Sequence, residues 1–233
     1  KRMKNMFLKF LFDRIVAFLG LFFLWPLLLI VTILIKLQMP GPVLFVQKRV
    51  GKKGKVFNCH KFRSMHIVHG GSTVSVAGES RITALGSMLR KYKVDELPGL
   101  WDVLIGNMSF VGPRPDVPGY ADQLKGADRD ILNLRPGITG PASLKYRDEE
   151  EMIAEFIEKI KRKDLSTFSL YKNVDFVQMT DEQIAIWYND NIIYPDKVRI
   201  NCYYYRNYSF IKDIQMISAT IIGKRIQYAG ETI

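Results

Sequence analysis

Residues 15–35, IVAFLGLFFLWPLLLIVTILI, are 21 consecutive positions without a charge, and their reading decides the fold. At about 1.5 Å of rise per residue such a helix matches a hydrocarbon layer of about 30 Å. The run is longer than the apolar core of a cleavable signal, and the QMPGPVLF that follows offers no small-residue cleavage site, so a retained membrane helix is expected. Pro26 removes the amide that would bond the Phe22 carbonyl, which predicts a bend there. Lys4, Lys9 and Arg14 precede the run, while Lys36, Lys48, Arg49, Lys52, Lys53 and Lys55 follow it. Basic flanks prefer the cytoplasm, so both ends are expected on one side. A bent, re-entrant helix satisfies both observations; a kinked single-pass helix competes, because proline is tolerated in ordinary spans.

Charge outward from this run is uneven. Of the net +11, residues 1–63 contribute +12, with Asp13 as their single acid, and residues 64–233 contribute −1. Excess charge beside a membrane-grade segment points to anionic lipid and away from nucleic acid. Two cysteines, Cys59 and Cys202, are too few for a disulfide framework and suit a reducing compartment. Cys59, His60, His66 and His69 match no zinc spacing.

After the turn at residues 39–42, two short strands joined by a Gly-Lys hairpin at residues 51–54 are expected, with Lys61 and Arg63 ending the second strand. Those two cations suit a solvated or lipid-facing edge, or an anionic ligand. Residues 67–81, small and polar, read as a mobile loop, a lid or mere slack. Residues 89–115, LRKYKVDELPGLWDVLIGNMSFVGPRP, combine a basic cluster, the Asp95-Glu96 pair and an arginine between prolines. Ile82, Leu85, Met88, Leu89 and Tyr92 share one helical face, and Pro98 is expected to end that helix beside the carboxylates, freeing the Val94 carbonyl. A surface pair in which Lys91 bonds Asp95 at i,i+4 is the plain alternative. Arg114 is presented by its prolines at low entropic cost, which favours phosphate chemistry over a simple tight turn.

Residues 116–134 read as helical, and residues 135–141 as a loop. A helix is expected from a cap at Asp148, with Glu149, Glu150 and Glu151 at its positive end and Lys161 and Arg162 at the other. Thr180 with Gln183 starts another, broken at Pro195. A final amphipathic helix over residues 209–226 aligns Ile211, Ile214, Ile217 and Ile221, which can dock on protein or lie at a membrane surface, as can Tyr203, Tyr204 and Tyr205.

Residues 9–147 resemble the monotopic phosphoglycosyl transferases, bacterial enzymes that move a sugar phosphate from a nucleotide sugar to polyprenyl phosphate. The resemblance rests on Phe12-Asp13, Pro40-Gly41-Pro42-Val43, Lys61-Phe62-Arg63-Ser64-Met65, Arg81-Ile82-Thr83, Leu89-Arg90-Lys91, Asp95-Glu96-Leu97-Pro98, Leu100-Trp101, Met108-Ser109, Val111-Gly112-Pro113-Arg114-Pro115 and Arg135-Pro136-Gly137-Ile138-Thr139-Gly140, in that order. It implies Asp95 as nucleophile, Glu96 as ligand of Mg²⁺, and Lys61, Arg90, Arg114 and Arg147 around phosphate and nucleotide. It also implies a re-entrant helix with both ends cytoplasmic, at the bacterial inner membrane. Three departures stand out: Trp25-Pro26 where the family often has Ser-Pro, Phe10 where a basic residue is common, and Ala142-Ser143-Leu144 with Tyr146 leading to Arg147.

The expected architecture is α+β and mostly helical, a monotopic membrane protein with a re-entrant helix over residues 1–38. A catalytic core with a small β-hairpin follows over residues 39–147. Residues 148–233 form a helical extension, suited to packing, homo-oligomer contacts or interfacial binding. The expected partners are a nucleotide sugar, with uridine as the base the resemblance implies, polyprenyl phosphate and anionic lipid. A catalytically inactive membrane-bound adaptor of glycan assembly is the competing function.

Overall fold

The computed structural model describes residues 2–66, 82–162, 171 and 174–233; the loop expected at residues 67–81 lies outside them. Helix α1, Arg2–Gln38, is a single helix with Pro26 inside it. The proline therefore does not break the helix, consistent with the loss of one intrahelical bond in a long apolar segment. Lys9, Asp13, Ala17, Val31 and Ile35 form its buried side, spaced at multiples of about four residues that fit helical periodicity. Phe18, Phe22, Phe23, Trp25, Ile30 and Ile33 are exposed on the rest of its surface.

Both ends of α1 pack on the same body. Near its start, Lys9 Nζ donates to Asp213 Oδ2 at 2.7 Å and to the Tyr204 hydroxyl at 3.3 Å. One turn on, Asp13 accepts from Ser109 Oγ at 2.8 Å and from the Phe110 amide at 3.2 Å. Near its end, Val31, Ile35 and Met39 join Phe62, Leu85 and Leu89 in one apolar cluster. Arg63 closes the helix, donating to the carbonyls of Met39 at 2.6 Å and Pro40 at 2.8 Å. Arg63 is thus a buried helix cap, neither a lipid-facing cation nor a ligand group.

Strands β1, Leu44–Val50, and β2, Val56–Phe62, form the expected antiparallel hairpin, with Leu44 opposite Phe62 and Val50 opposite Val56. The chain then enters α2, Ala84–Lys91, a 3-10 turn at Val94–Glu96, and α3, Gly99–Ile105. Leu85 and Leu89 of α2 are buried, whereas Met88 and Tyr92 are exposed.

Strand β3, Ser109–Val111, pairs in parallel with β4, Gly137–Thr139. Three glycines make that approach possible. A Cβ at Gly112 would lie 2.3 Å from the Arg135 carbonyl oxygen, one at Gly137 2.2 Å from the Gly112 nitrogen, and one at Gly140 2.2 Å from the Gly112 oxygen. The glycines of the Val-Gly-Pro-Arg-Pro and Arg-Pro-Gly-Ile-Thr-Gly segments therefore lock two backbones together, which fixes the base of the Arg114 loop.

Beyond β3, residues 116–134 form 3-10 turns at Ala121–Gln123 and Gly126–Asn133, not the expected helix. Gly119 at φ 107° and Gly126 at φ 56° turn the backbone out of the right-handed region. Helix α4, Pro141–Lys145, leads to α5, Glu149–Lys161. Asp148 precedes α5 but makes no side-chain cap, because its backbone at φ −102°, ψ 34° is not the extended conformation a cap adopts. Thr180 and Gln183 do form the expected reciprocal capping box at the start of α6, Asp181–Tyr188. A π-helical turn, Asn189–Ile193, joins α6 to α7, Tyr194–Arg206. Pro195 lies in the first turn of α7, where its missing amide is harmless, so it starts a helix and does not break one.

Helix α8, Phe210–Ile222, buries Asp213, Met216 and Ala219 and exposes Ile211, Ile214, Ile221 and Ile222; Ile217 packs on the core. Tyr204 is fully buried, and its hydroxyl donates to Asp213 Oδ1 at 2.6 Å. Val111, Leu134, Leu144, Ile200, Tyr204 and Met216 share one core, so the carboxy-terminal helices support β3 directly. The chain closes with a short antiparallel pair, Gln227–Tyr228 and Glu231–Thr232.

Candidate active site

The carboxylate pair lies in the 3-10 turn between α2 and α3. Helix α2 ends at Lys91, and Lys93 takes a left-handed conformation, φ 56°, that turns the chain before Pro98 is reached. Pro98 is the residue before α3, not the terminator of α2. The Val94 carbonyl is not left free either, since it accepts from the Leu97 amide at 3.2 Å. Lys91 makes no i,i+4 pair with Asp95 and lies near the Tyr92 ring, 5.7 Å from its centroid.

The two carboxylates have opposite environments. Glu96 Oε1 accepts from Lys61 Nζ at 2.8 Å and from Arg114 Nη2 at 3.0 Å. Burial pushes the Glu96 carboxyl up, but Arg114 and Lys61 outweigh it and bring it to about 2. Asp95 is 8% exposed, and its Oδ1 is buried without a hydrogen-bond partner among the described residues. Burial, and then the neighbouring Glu96 charge, push the Asp95 carboxyl above its ordinary value. The result is one carboxylate held firmly ionised and an adjacent one poorly solvated, a perturbed pair of the kind that clusters at functional sites.

The strand pairing brings Lys61 to the site from β2, and the glycine-locked loop brings Arg114. Arg90, at the end of α2, extends to Glu150 Oε1 at 3.4 Å, although its charge still reaches Asp95. Arg147 is placed differently, donating to the Gly223 carbonyl at 2.9 Å at the end of α8. The structure therefore gathers Asp95, Glu96, Lys61 and Arg114 and leaves Arg147 bonded elsewhere.

The pocket at Glu96, Lys61 and Arg114 is also lined by Arg49 and His60, neither of which the sequence marked as a site residue. Arg49 donates to the Pro115 carbonyl at 2.9 Å, bracing the Arg114 loop. Its signal was alternation along β1, which puts it on the same sheet face as Cys59 and Lys61, through the pairing of Gln47 with Cys59. His60 shares Nδ1 with Asp102 Oδ1 at 2.8 Å, and its amide donates to Asp102 Oδ2 at 2.9 Å. Asp102 is fully buried, so this pair fastens α3 to β2; no local pattern signalled it.

The donors fit a magnesium ion better than zinc. No group of three His, Cys, Asp or Glu side chains placed to hold a metal ion occurs among the described residues. Mg²⁺ is held by only one or two carboxylates, with water and substrate phosphates completing its shell. Both cations on Glu96 take Oε1, leaving Oε2, and Asp95 Oδ1 has no described partner.

These environments predict opposite stability effects. A carboxyl moved from 4.5 to about 2 on folding contributes roughly 3 kcal/mol above its unfolded value, lost as the pH falls toward 2. Glu96→Gln should therefore lower the melting temperature at pH 7, with the gap from wild type narrowing below about pH 4.5 and closing only toward pH 2. Asp95 is raised, so its charge costs stability as pH rises above the unfolded value. Asp95→Asn should melt above wild type at pH 7, measured by thermal denaturation.

The model of the family described as bacterial sugar transferase matches residues 4–224. Among curated relatives, the UDP-N-acetylgalactosamine-undecaprenyl-phosphate N-acetylgalactosaminephosphotransferase of Aeromonas hydrophila is 40% identical over 146 residues, 59% of this chain and 34% of that protein. The UDP-glucose:undecaprenyl-phosphate glucose-1-phosphate transferase of Xanthomonas campestris pv. campestris is 38% identical over 161 residues, 66% of this chain and 33% of that protein. A putative undecaprenyl-phosphate N-acetylgalactosaminyl 1-phosphate transferase of Bacillus subtilis (strain 168) is 35% identical over 156 residues, 64% of this chain and 83% of that protein. The chain thus spans about a third of the first two relatives and most of the third.

Proposed function

Because the chain belongs to the bacterial sugar transferase family, we propose that it transfers a phosphosugar from a UDP-sugar to polyprenyl phosphate and so initiates glycan assembly. The activities named for these relatives support this reading. The observation that carries it is the asymmetry of the dyad, with Glu96 clamped by two cations and Asp95 buried without a partner.

In the proposed first step, an Asp95 oxygen bonds to the sugar-bearing phosphorus. The bond from that phosphorus to the nucleoside monophosphate breaks, and its electron pair leaves with the monophosphate. In the second step an oxygen of polyprenyl phosphate bonds to the same phosphorus, and the electron pair of the Asp95–phosphorus bond returns to the carboxylate. Lys61 and Arg114, held at Glu96, offset the charge that would otherwise repel an anionic nucleophile from a diphosphate. Glu96 is the proposed ligand of Mg²⁺, which supplies further neutralisation of the diphosphate when bound. Arg90 is assigned to the substrate phosphates from the rim. Arg147 is assigned to the nucleotide, a role that requires it to leave the Gly223 carbonyl.

The same reading seats the protein on the cytoplasmic face of the inner membrane, with α1 re-entrant. Lys9 and Asp13 at one end of α1, and Ile35 and Met39 at the other, touch one body. Contact of both ends with one body supports the re-entrant reading over a single-pass one. The exposed apolar surface of α1 and the isoleucine face of α8 are the surfaces assigned to lipid.

Asp95→Asn is nearly isosteric and should abolish release of nucleoside monophosphate across a panel of nucleotide sugars; full activity in the variant contradicts the reading. Absence of turnover by wild type with every sugar favours the inactive adaptor. For topology, single cysteines replacing Lys4 and Lys53, in a chain lacking Cys59 and Cys202, should both react with an impermeant thiol reagent from the cytoplasmic side. Labelling from opposite sides would establish a single-pass helix.

A further inference from the structure

Away from the dyad, two guanidinium groups of like charge meet at one glycine. Arg135 Nε donates to the Gly106 carbonyl at 3.0 Å, and Arg14 Nη2 lies so close to Gly106 that a Cβ there would be 2.2 Å from it. The same two groups flank one ring, with Arg14 Cζ 3.5 Å and Arg135 Cζ 4.9 Å from the Phe10 centroid. Two guanidinium groups, one from α1 and one from the loop before β4, thus converge.

Their charge is not balanced locally. Asp13 is the acid that lowers the repulsion, but its oxygens already accept from Ser109 and Phe110. No ion pair joins Arg14 or Arg135 to a carboxylate among the described residues. Capping the end of α3 explains one bond, from Arg135 to Gly106, and Arg14 uses one group on the Phe10 carbonyl at 3.3 Å. Each guanidinium has five N–H donors, so most remain for an external acceptor. Like-charged groups held together by the fold, with donors to spare, describe an anion site.

Position selects the anion. Arg14 directly precedes the uncharged run of residues 15–35, and Phe10, Leu11, Ile15 and Ile105 around it are exposed apolar groups. The cations therefore lie where an apolar surface meets a polar body, the depth of lipid headgroups. Neither arginine lines the pocket at Glu96, Lys61 and Arg114. We propose that Arg14 and Arg135 bind the phosphate of an anionic membrane glycerophospholipid and so fix how deeply the amino-terminal half of α1 sits. This rests on the membrane-seated reading above.

The experiment is partition of the full chain onto phosphatidylcholine vesicles with and without phosphatidylglycerol. Phosphatidylglycerol should strengthen wild-type binding. The Arg14→Lys/Arg135→Lys variant keeps every charge but loses the planar, forked donors, and should bind phosphatidylglycerol vesicles about tenfold more weakly. Its binding to phosphatidylcholine alone should be unchanged. Equal binding by the variant and wild type overturns the site in favour of diffuse attraction. If the double variant does not fold, as judged by circular dichroism, the single Arg135→Lys and Arg14→Lys variants decide, each expected to lose part of the gain. A larger arginine-dependent gain from polyprenyl phosphate at equal mole fraction overturns the assignment to glycerophospholipid. The membrane reading fails separately, when wild type does not bind phosphatidylcholine vesicles; an arginine-dependent response to phosphatidylglycerol then still supports the site, and its absence removes both.

Discussion

One oxygen atom, Oε1 of Glu96, joins the parts of the site. It receives Lys61 from the hairpin at 2.8 Å and Arg114 from the Pro-Arg-Pro loop at 3.0 Å, while belonging itself to the 3-10 turn between α2 and α3. Each of those segments has its own support. The hairpin is registered over seven residue pairs, the loop is held by backbone contact among Gly112, Gly137 and Gly140, and α3 is tied to β2 through Asp102 and His60. Because Glu96 draws both cations, Asp95 beside it keeps a buried, unpartnered oxygen. Such a group lowers stability, and its persistence in a carefully packed region is the mark of a functional site.

The seat of α1 uses two kinds of interaction at its two ends. Its amino-terminal half is fixed by charge, through Lys9 to Asp213 and Tyr204 and through Asp13 to the β3 segment. Its carboxy-terminal half is fixed by apolar packing against Phe62, Leu85 and Leu89, the last two on the helix that leads to the dyad. Directional bonds set the rotation of the helix, since one turn of slip would leave Lys9 and Asp213 buried and unpaired, a loss of roughly 3–5 kcal/mol. The apolar end then couples the position of α1 to α2, and so to Asp95. In the proposed mechanism this coupling places the nucleophile within reach of a lipid-borne phosphate.

The sequence was most legible where structure is local. The hairpin followed from two strand patterns around a Gly-Lys turn, and the Thr180–Gln183 box from spacing alone. The dyad and Arg114 stand out by composition and proline constraint, and their side chains meet in the fold. What was not legible depended on distant partners or on single dihedral angles. Pro98 drew the eye as a helix terminator, yet Lys93 in the left-handed region had already turned the chain. Residues 116–134 have helical composition, but Gly119 and Gly126 take positive φ and break them into short turns. Pro195 reads as a break until the π-helical turn before it moves the proline to a first-turn position. Arg63 and Lys61, two residues apart, looked equivalent; one caps α1 and the other holds Glu96, a division set by which long-range carbonyls and carboxylates lie nearby.

The central claim is that Asp95 itself carries the phosphosugar between the two substrates, and intact-protein mass spectrometry addresses it most directly. The full chain, incubated with its nucleotide sugar and Mg²⁺ but without polyprenyl phosphate, should gain the mass of one sugar phosphate, localised by peptide fragmentation to Asp95 and discharged when polyprenyl phosphate is added. An active enzyme that shows no adduct under rapid quench, or an adduct that maps to another residue and persists in Asp95→Asn, would contradict the account.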